Sequence, residues 1–341
     1  MSIINKPSNH PVFPDKSKVA IILVNLGTPD GTDYWSMRKY LKQFLMDKRV
    51  VDLFRPIWWL ILNGPILTFR PSKSGKAYKK IWDEQNHGSP LRKFTINQTN
   101  KLKDSFQDNK NLIIDYAMRY GNPSIEKVLN KIVEKGCSKL LLVPLYPQYA
   151  ASTTATVKDE VFKWMLKQRW QPDIRTIAPW FDDKNYIKAL ADTVNSNLKN
   201  KNTLDKLIVS FHGIPQRYFK AGDPYHCHCI KTARLLKEEL KWPDDKILVT
   251  FQSRFGPEPW LQPYTDKTII ELAKSGKKRI AVIAPGFISD CLETLEELNV
   301  EARELFIEHG GESFQYIPCL NDNKYSIKLL NNLITQNLQD W

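Results

Sequence analysis

Ala20-Ile-Ile-Leu-Val-Asn-Leu-Gly-Thr-Pro29 is a continuous apolar run that stops on glycine and proline, and its counterpart appears later as Leu207-Ile-Val-Ser-Phe-His-Gly-Ile-Pro215. Three further runs follow each of them in the same order. The first set is 112–121, 140–146 and 177–183; the second is 247–256, 280–285 and 317–322. After the fourth run the copies still match, as Lys184-Asn-Tyr-Ile-Lys-Ala-Leu190 and Lys324-Tyr-Ser-Ile-Lys-Leu-Leu330. The runs do not alternate with polar residues, which is the pattern of parallel strands buried on both faces. Helical periods separate them. One has apolar residues at 125, 128, 129, 132 and 133, with Ser124 placed as N-cap and Gly136 as terminator. Strand-helix alternation gives parallel sheets with right-handed crossovers. The chain therefore reads as α/β, with two Rossmann-like lobes, each a four-stranded parallel sheet flanked by helices, and a ligand cleft between them. Residues 1–180 make the first lobe and 181–320 the second. A helix within 321–341 is expected to pack back on the first.

At 341 residues the chain is long enough for two cores. No apolar stretch reaches the roughly 18 residues of a membrane span. Residues 1–18 are polar and lack the apolar middle of a secretory signal, so a cytoplasmic protein is expected. Cysteines 137, 227, 229, 291 and 319 are too few for a disulfide scaffold and are expected as reduced thiols. The net charge of +13 favours anionic partners. The basic residues are spread over many helices without a zinc-finger or RNA-module motif, which argues against nucleic acid. Gly27 stands alone after the first run, and no phosphate-loop pattern occurs, so dinucleotide and nucleoside-triphosphate readings lose their support.

The first copy carries an insert, at about 50–75, whose core is Phe54-Arg-Pro-Ile-Trp-Trp-Leu-Ile-Leu-Asn-Gly-Pro-Ile-Leu-Thr-Phe69. Asn63-Gly64-Pro65 interrupt it. Two readings are open: a buried helix-loop-helix, or an exposed apolar lip at a ligand mouth or membrane surface. Trp58 and Trp59, flanked by Arg55 and Arg70, suit an interface.

In open parallel sheets the ligand lies beyond the carboxyl ends of the strands. His212 stands there, on a Gly/Pro turn, and imidazole both moves protons near neutrality and ligates divalent iron. A hydrogen-bonded core histidine is the alternative. Past the third run of the second copy, Glu293, Glu297 and Glu301 recur every four residues on one helix face, with Glu293 nearest the cleft. For Glu297 and Glu301 a solvated acidic face explains the spacing equally well. His226-Cys-His-Cys229 resembles a metal cluster, but four adjacent donors cannot all turn to one ion, and no second Cys pair lies nearby. Arg119, Tyr120, Tyr146 and Trp260 stand at other strand ends, where aromatics suit a large flat ligand and Arg119 suits its carboxylate.

Six blocks together resemble the ferrochelatases, which insert ferrous iron into a porphyrin to make haem. They are Leu23–Pro29, Arg119–Pro123, Leu145–Thr154, Ser210–Pro215 with Gly222–Tyr225, Gln252–Trp260, and Ser289–Leu295. The resemblance implies chelatase-type lobes with the porphyrin between them and His212 with Glu293 at the metal. It also implies an acidic track through Glu297 and Glu301, and porphyrin contacts from Arg119, Tyr120, Tyr146 and Trp260. The substrates implied are protoporphyrin IX and Fe2+, with peripheral contact to a membrane surface through the lip. His212 is favoured as proton acceptor and Glu293 as ligand and relay. Cys291 stands where some relatives carry histidine, and no cysteine follows Cys319, so no cofactor beyond substrate iron and no iron–sulfur cluster are expected. The rivals are a chelatase acting on coproporphyrin, with four carboxylates, and a non-catalytic two-lobe binder of haem or another solute. An exported binder needs a signal segment, which residues 1–18 do not supply.

Overall fold

The computed structural model describes residues 15–198, 203–339 and 341. Most of the polar N-terminal stretch read above as signal-free lies outside them. In chain order the first half contains β1 (Asp15–Thr28), α1 (Tyr34–Leu45), α2 (Arg55–Ile61), α3 (Leu67–Ile81), α4 (Pro90–Ser105), β2 (Leu112–Gly121), α5 (Ile125–Glu134), β3 (Cys137–Pro144), α6 (Thr156–Met165) and β4 (Asp173–Thr176). The second contains α7 (Lys184–Asn197), β5 (Lys206–His212), α8 (Gln216–Lys220), α9 (Tyr225–Leu240), β6 (Ile247–Gln252), α10 (Thr265–Lys274), β7 (Arg279–Ile283), α11 (Ala302–Glu308), β8 (Ser313–Ile317) and α12 (Lys324–Leu338).

Both sheets have four parallel strands in the same order, β2-β1-β3-β4 and β6-β5-β7-β8. The repeat seen in the sequence is therefore a repeat of topology. The central strands are apolar because helices cover both faces: Ile21, Leu23, Ile208 and Val209 are at most 1% exposed. Gly27 marks how closely β1 and β2 approach, since a Cβ there would lie 1.7 Å from the Tyr120 carbonyl oxygen. Ser124 caps α5 by accepting from the Lys127 N–H at 3.3 Å, and Gly136 ends that unit with φ of 81°.

The fourth strands differ from the expectation. They are Asp173–Thr176 and Ser313–Ile317, upstream of the apolar runs chosen for them. Each is an edge strand covered less completely, so its residues stay partly polar. The runs at 177 and 317 contain Pro179 and Pro318, which cannot donate to a ladder and instead form the exit turns.

One apolar cluster runs through both lobes. It joins Ile21, Leu141 and Ile177 to Val209, Phe211 and Ile283 through α7, α9 and α12. The last helix, α12, packs against α4 and β3 of the first lobe as well as α7.

The insert forms α2, a π-helical turn at Leu62–Ile66 and α3. Gly64 leaves helical geometry (ψ −108°) and Pro65 supplies no N–H, which breaks the helix where the sequence placed the break. The two tryptophans separate. Trp58 is 3% exposed and donates from Nε1 to the Leu45 carbonyl at 2.7 Å, whereas Trp59 is 51% exposed. The paired-tryptophan reading is corrected: adjacent helix positions point about 100° apart, so Trp58 anchors the lip and Trp59 forms part of its outer face. Phe69, at 74%, is the most exposed large apolar residue of the lip.

Candidate active site

His212 is the last residue of β5 and pairs in register with Gln252, the last of β6. The chain then turns at Gly213, whose N–H donates to the Gln252 carbonyl at 2.8 Å. A Cβ at 213 would sit 3.0 Å from that oxygen and 3.1 Å from the Trp260 ring, so glycine lets the turn close against both. His212 Nδ1 lies 2.6 Å from the Gly213 carbonyl oxygen. A carbonyl only accepts, so Nδ1 carries a proton, and in the neutral ring Nε2 is the atom with the free lone pair. Trp260 flanks the imidazole, with ring centres 6.4 Å apart, and its indole N–H is buried without a partner.

The acidic segment lies on a π-helix, Glu293–Glu301, which continues into α11. This differs from the α-helix expected, yet the wider i→i+5 turn still brings residues four apart close together. Asp290, 4% exposed, fixes the approach to it. Its carboxylate accepts from Thr294 Oγ1 at 3.0 Å, Tyr316 OH at 2.5 Å and Asn321 Nδ2 at 2.6 Å. Glu293 and Glu297 are half-buried and Glu301 is exposed, so the three run from the interior to solvent. Glu297 accepts from the Ser253 N–H at 2.8 Å and its hydroxyl at 2.5 Å. Burial nonetheless raises its pKa. The Glu293 charge adds to that rise, while the Ser253 hydrogen bonds and the His212 imidazole oppose it. Glu297 thus senses both members of the expected pair. Glu296, passed over in the sequence, is the buried carboxylate of this helix and pairs with Lys80 of α3.

The first-lobe strand ends are organised differently. Arg119 is 8% exposed, and its guanidinium reaches Asp47 at 2.5 Å, Thr156 Oγ1 at 2.7 Å and Glu160 at 3.4 Å, lying over the Tyr120 ring. Tyr120 is fully buried and donates to Asp47 at 2.8 Å. Nε and Nη2 of Arg119 and the Tyr120 hydroxyl, both residues expected as porphyrin contacts, are engaged inside the lobe. Tyr146 differs, because its hydroxyl is buried with no partner and burial pushes its pKa well up.

A family model described as Ferrochelatase matches residues 18–338. This chain belongs to the ferrochelatase family. Relatives named Ferrochelatase from Allorhizobium ampelinum and Agrobacterium fabrum are each 55% identical to it, over 342 and 339 residues. Those matches cover 100% and 98% of this chain and 99% and 97% of theirs. One from Rhizobium meliloti is 53% identical over 325 residues, covering 95% of this chain and 96% of its own. Among solved structures, SirB from Bacillus subtilis with Fe3+ superimposes with a TM-score of 0.58 at 13% identity, across 95% of this chain and 96% of that one. At that identity the likeness speaks for the two-lobe fold. The protein is therefore an enzyme, a metal chelatase that inserts iron into a porphyrin in haem synthesis, and the non-catalytic binder is set aside.

For a ferrochelatase, the structure adds residues that sequence reasoning did not select. Arg70, treated only as a flank of the lip, extends from α3 to within 4.8 Å of the Phe255 ring of the second lobe. One of its terminal nitrogens is buried without a partner. Burial lowers its pKa, and the nearby Glu293 carboxylate opposes that shift. Tyr40 and Tyr78 also lie within electrostatic reach of Glu293, and burial raises both their pKa values. They stand on α1 and α3, away from the strand ends where the sequence pointed. The His226–Cys229 cluster disperses around α9. His226 stacks near Phe251, and His228 stacks on Phe181 at 3.7 Å while accepting the Tyr149 N–H at 3.2 Å. Cys229 is buried and Cys227 exposed.

Proposed function

We propose that this ferrochelatase acts on protoporphyrin IX, with His212 and Glu293 of the second lobe working at the macrocycle centre. The observation that carries the reading is the His212 tautomer: Nδ1 is committed to Gly213, which leaves Nε2 as a base at the carboxyl end of β5. Metallation requires two pyrrole N–H protons to leave as Fe2+ enters. Neutral imidazole takes a proton, and Glu293 ligates the incoming ion and relays protons onward. Glu297 and Glu301 extend from Glu293 to the surface and give protons or iron a carboxylate route. Two protein donors suit an ion in transit better than the three or four that hold a resident metal. Iron is substrate here, and the reading invokes no other cofactor.

Orphaned polar atoms on the loops after β3 and β6 and on α3 support a ligand of matching shape. Tyr146 OH, Trp260 Nε1 and Arg70 Nη1 are buried and unpartnered, which native interiors avoid. A tight aromatic cleft favours a bent macrocycle, whose nitrogen lone pairs point out of the ring plane. Arg70 is the candidate for a ring carboxylate. With Arg119 committed to Asp47, few buried cations remain for the four carboxylates of coproporphyrin.

The lip supports contact with an anionic membrane surface. Ile57, Trp59, Leu60 and Phe69 are each at least half exposed, and Lys73, Lys76 and Lys79 on α3 are exposed alongside. Among the described residues no helix is long and apolar enough to cross a membrane. The test is steady-state metallation with each porphyrin and Fe2+. The reading requires a higher kcat/KM for protoporphyrin, and preference for coproporphyrin overturns it.

A further inference from the structure

The end of β6 carries a side chain that the mechanism above does not use. Gln252 is 5% exposed, and both ends of its amide are held. Oε1 accepts from Ser210 Oγ at 2.7 Å, and Nε2 donates to the Glu293 carbonyl at 2.9 Å. Because that carbonyl only accepts, turning the amide over would set two oxygens against each other. Behind it the buried hydroxyls of Ser210, Thr265 and Thr250 follow in a row, at 2.9 and 2.8 Å. On its backbone, the same residue is the register partner of His212 and accepts the Gly213 N–H. Its neighbour Ser253 has φ of 63°, a left-handed conformation uncommon outside glycine. That bend directs both the N–H and the hydroxyl of Ser253 at Glu297.

We propose that Gln252 is a positioning residue for metallation. It sets the separation of the His212 imidazole and the Glu293 carboxylate by tying the first carbonyl of the π-helix to the strand end that carries the histidine turn. The proposal builds on the His212–Glu293 assignment made above, and Gln252 itself touches no substrate. A π-helical segment is a rare, locally irregular geometry, so an external donor at its first residue defines where it starts. Displacement of a reacting group by about 1 Å costs on the order of 100-fold in rate.

Two variants test this. Gln252→Leu removes the amide while Ser210 keeps its contact with Thr265, so no buried hydroxyl is stranded. Gln252→Glu keeps the shape and the Ser210 acceptor but puts an oxygen against the Glu293 carbonyl. The readouts are kcat and KM with protoporphyrin and Fe2+, porphyrin Kd from fluorescence quenching without iron, and the thermal midpoint. Expected is a fall in kcat of roughly tenfold or more in both variants, with porphyrin Kd changed by less than about twofold and the midpoint by less than about 4 °C. Wild-type kcat in both variants overturns the proposal, as does a kcat loss matched by equal losses in porphyrin binding and melting. His212→Ala and Glu293→Gln are measured alongside. If those two keep turnover, the underlying assignment fails; if they lose it while both Gln252 variants keep theirs, the positioning role alone fails.

Discussion

The carboxyl ends of β2, at the edge of its sheet, and of β5, inside its own, both carry candidate site residues, yet they finish in opposite ways. At β2, Arg119 and Tyr120 turn inward onto Asp47, and the ionic and hydroxyl groups satisfy each other. At β5, His212 spends only Nδ1 on the protein, and the carboxylates facing it lie on a helix that leads to solvent. One strand end holds a lobe together and the other is left chemically open. The repeated sheet thus supplies strand ends in both lobes, and the local hydrogen bonds decide which of them reacts.

The largest test of that contrast is His212→Ala. It should lower metallation by about 100- to 10,000-fold, the range for loss of a general base, with the fold intact by circular dichroism; near-normal turnover would remove the distinction. The contrasting change at β2, Arg119→Ala, should act on stability. It leaves Asp47 buried without its cation, at a cost of about 3–5 kcal/mol by urea unfolding. Turnover per folded molecule should survive it. Loss of turnover without loss of stability would show that Arg119 serves the substrate after all.

On the lip, the contrast between Trp58 and Trp59 gives a smaller effect. Trp59→Ser should weaken co-sedimentation with anionic vesicles by roughly tenfold, the equivalent of one aromatic side chain withdrawn from an apolar phase. Trp58→Ser should instead lower the melting midpoint. Equal vesicle binding by wild type and Trp59→Ser would contradict the exposed-lip reading.

The smallest effect concerns pH. Burial raises the folded-state pKa of Glu297 above the ordinary 4.5. Over that interval the folded state binds the proton more tightly, so stability falls as pH rises from about 4.5 through the folded value. Glu297→Gln lacks this slope. Its stability relative to wild type should therefore be greater at pH 7 than at pH 4 in urea titrations, and an unchanged difference would refute the shift.

Much of the fold was legible because buried parallel strands need unbroken apolar runs, and six of the eight runs are strands where expected. The edge strands Asp173–Thr176 and Ser313–Ile317 were not, since partial exposure removes that requirement. At the site, His212 and Glu293 could be nominated from their places after strand ends. Arg70, Tyr40 and Tyr78 could not, because they reach the neighbourhood of Glu293 from α1 and α3, whose docking no local pattern encodes. Arg119 looked like a ligand group for a related reason: its partner Asp47 is 72 residues away.

The most direct measurement is a crystal structure of the protein with protoporphyrin bound. The account predicts the ring between the lobes, its centre facing His212 Nε2 and the Glu293 carboxylate. A ring whose centre lies against Arg119 and Tyr120, with His212 and Glu293 out of reach, would contradict it.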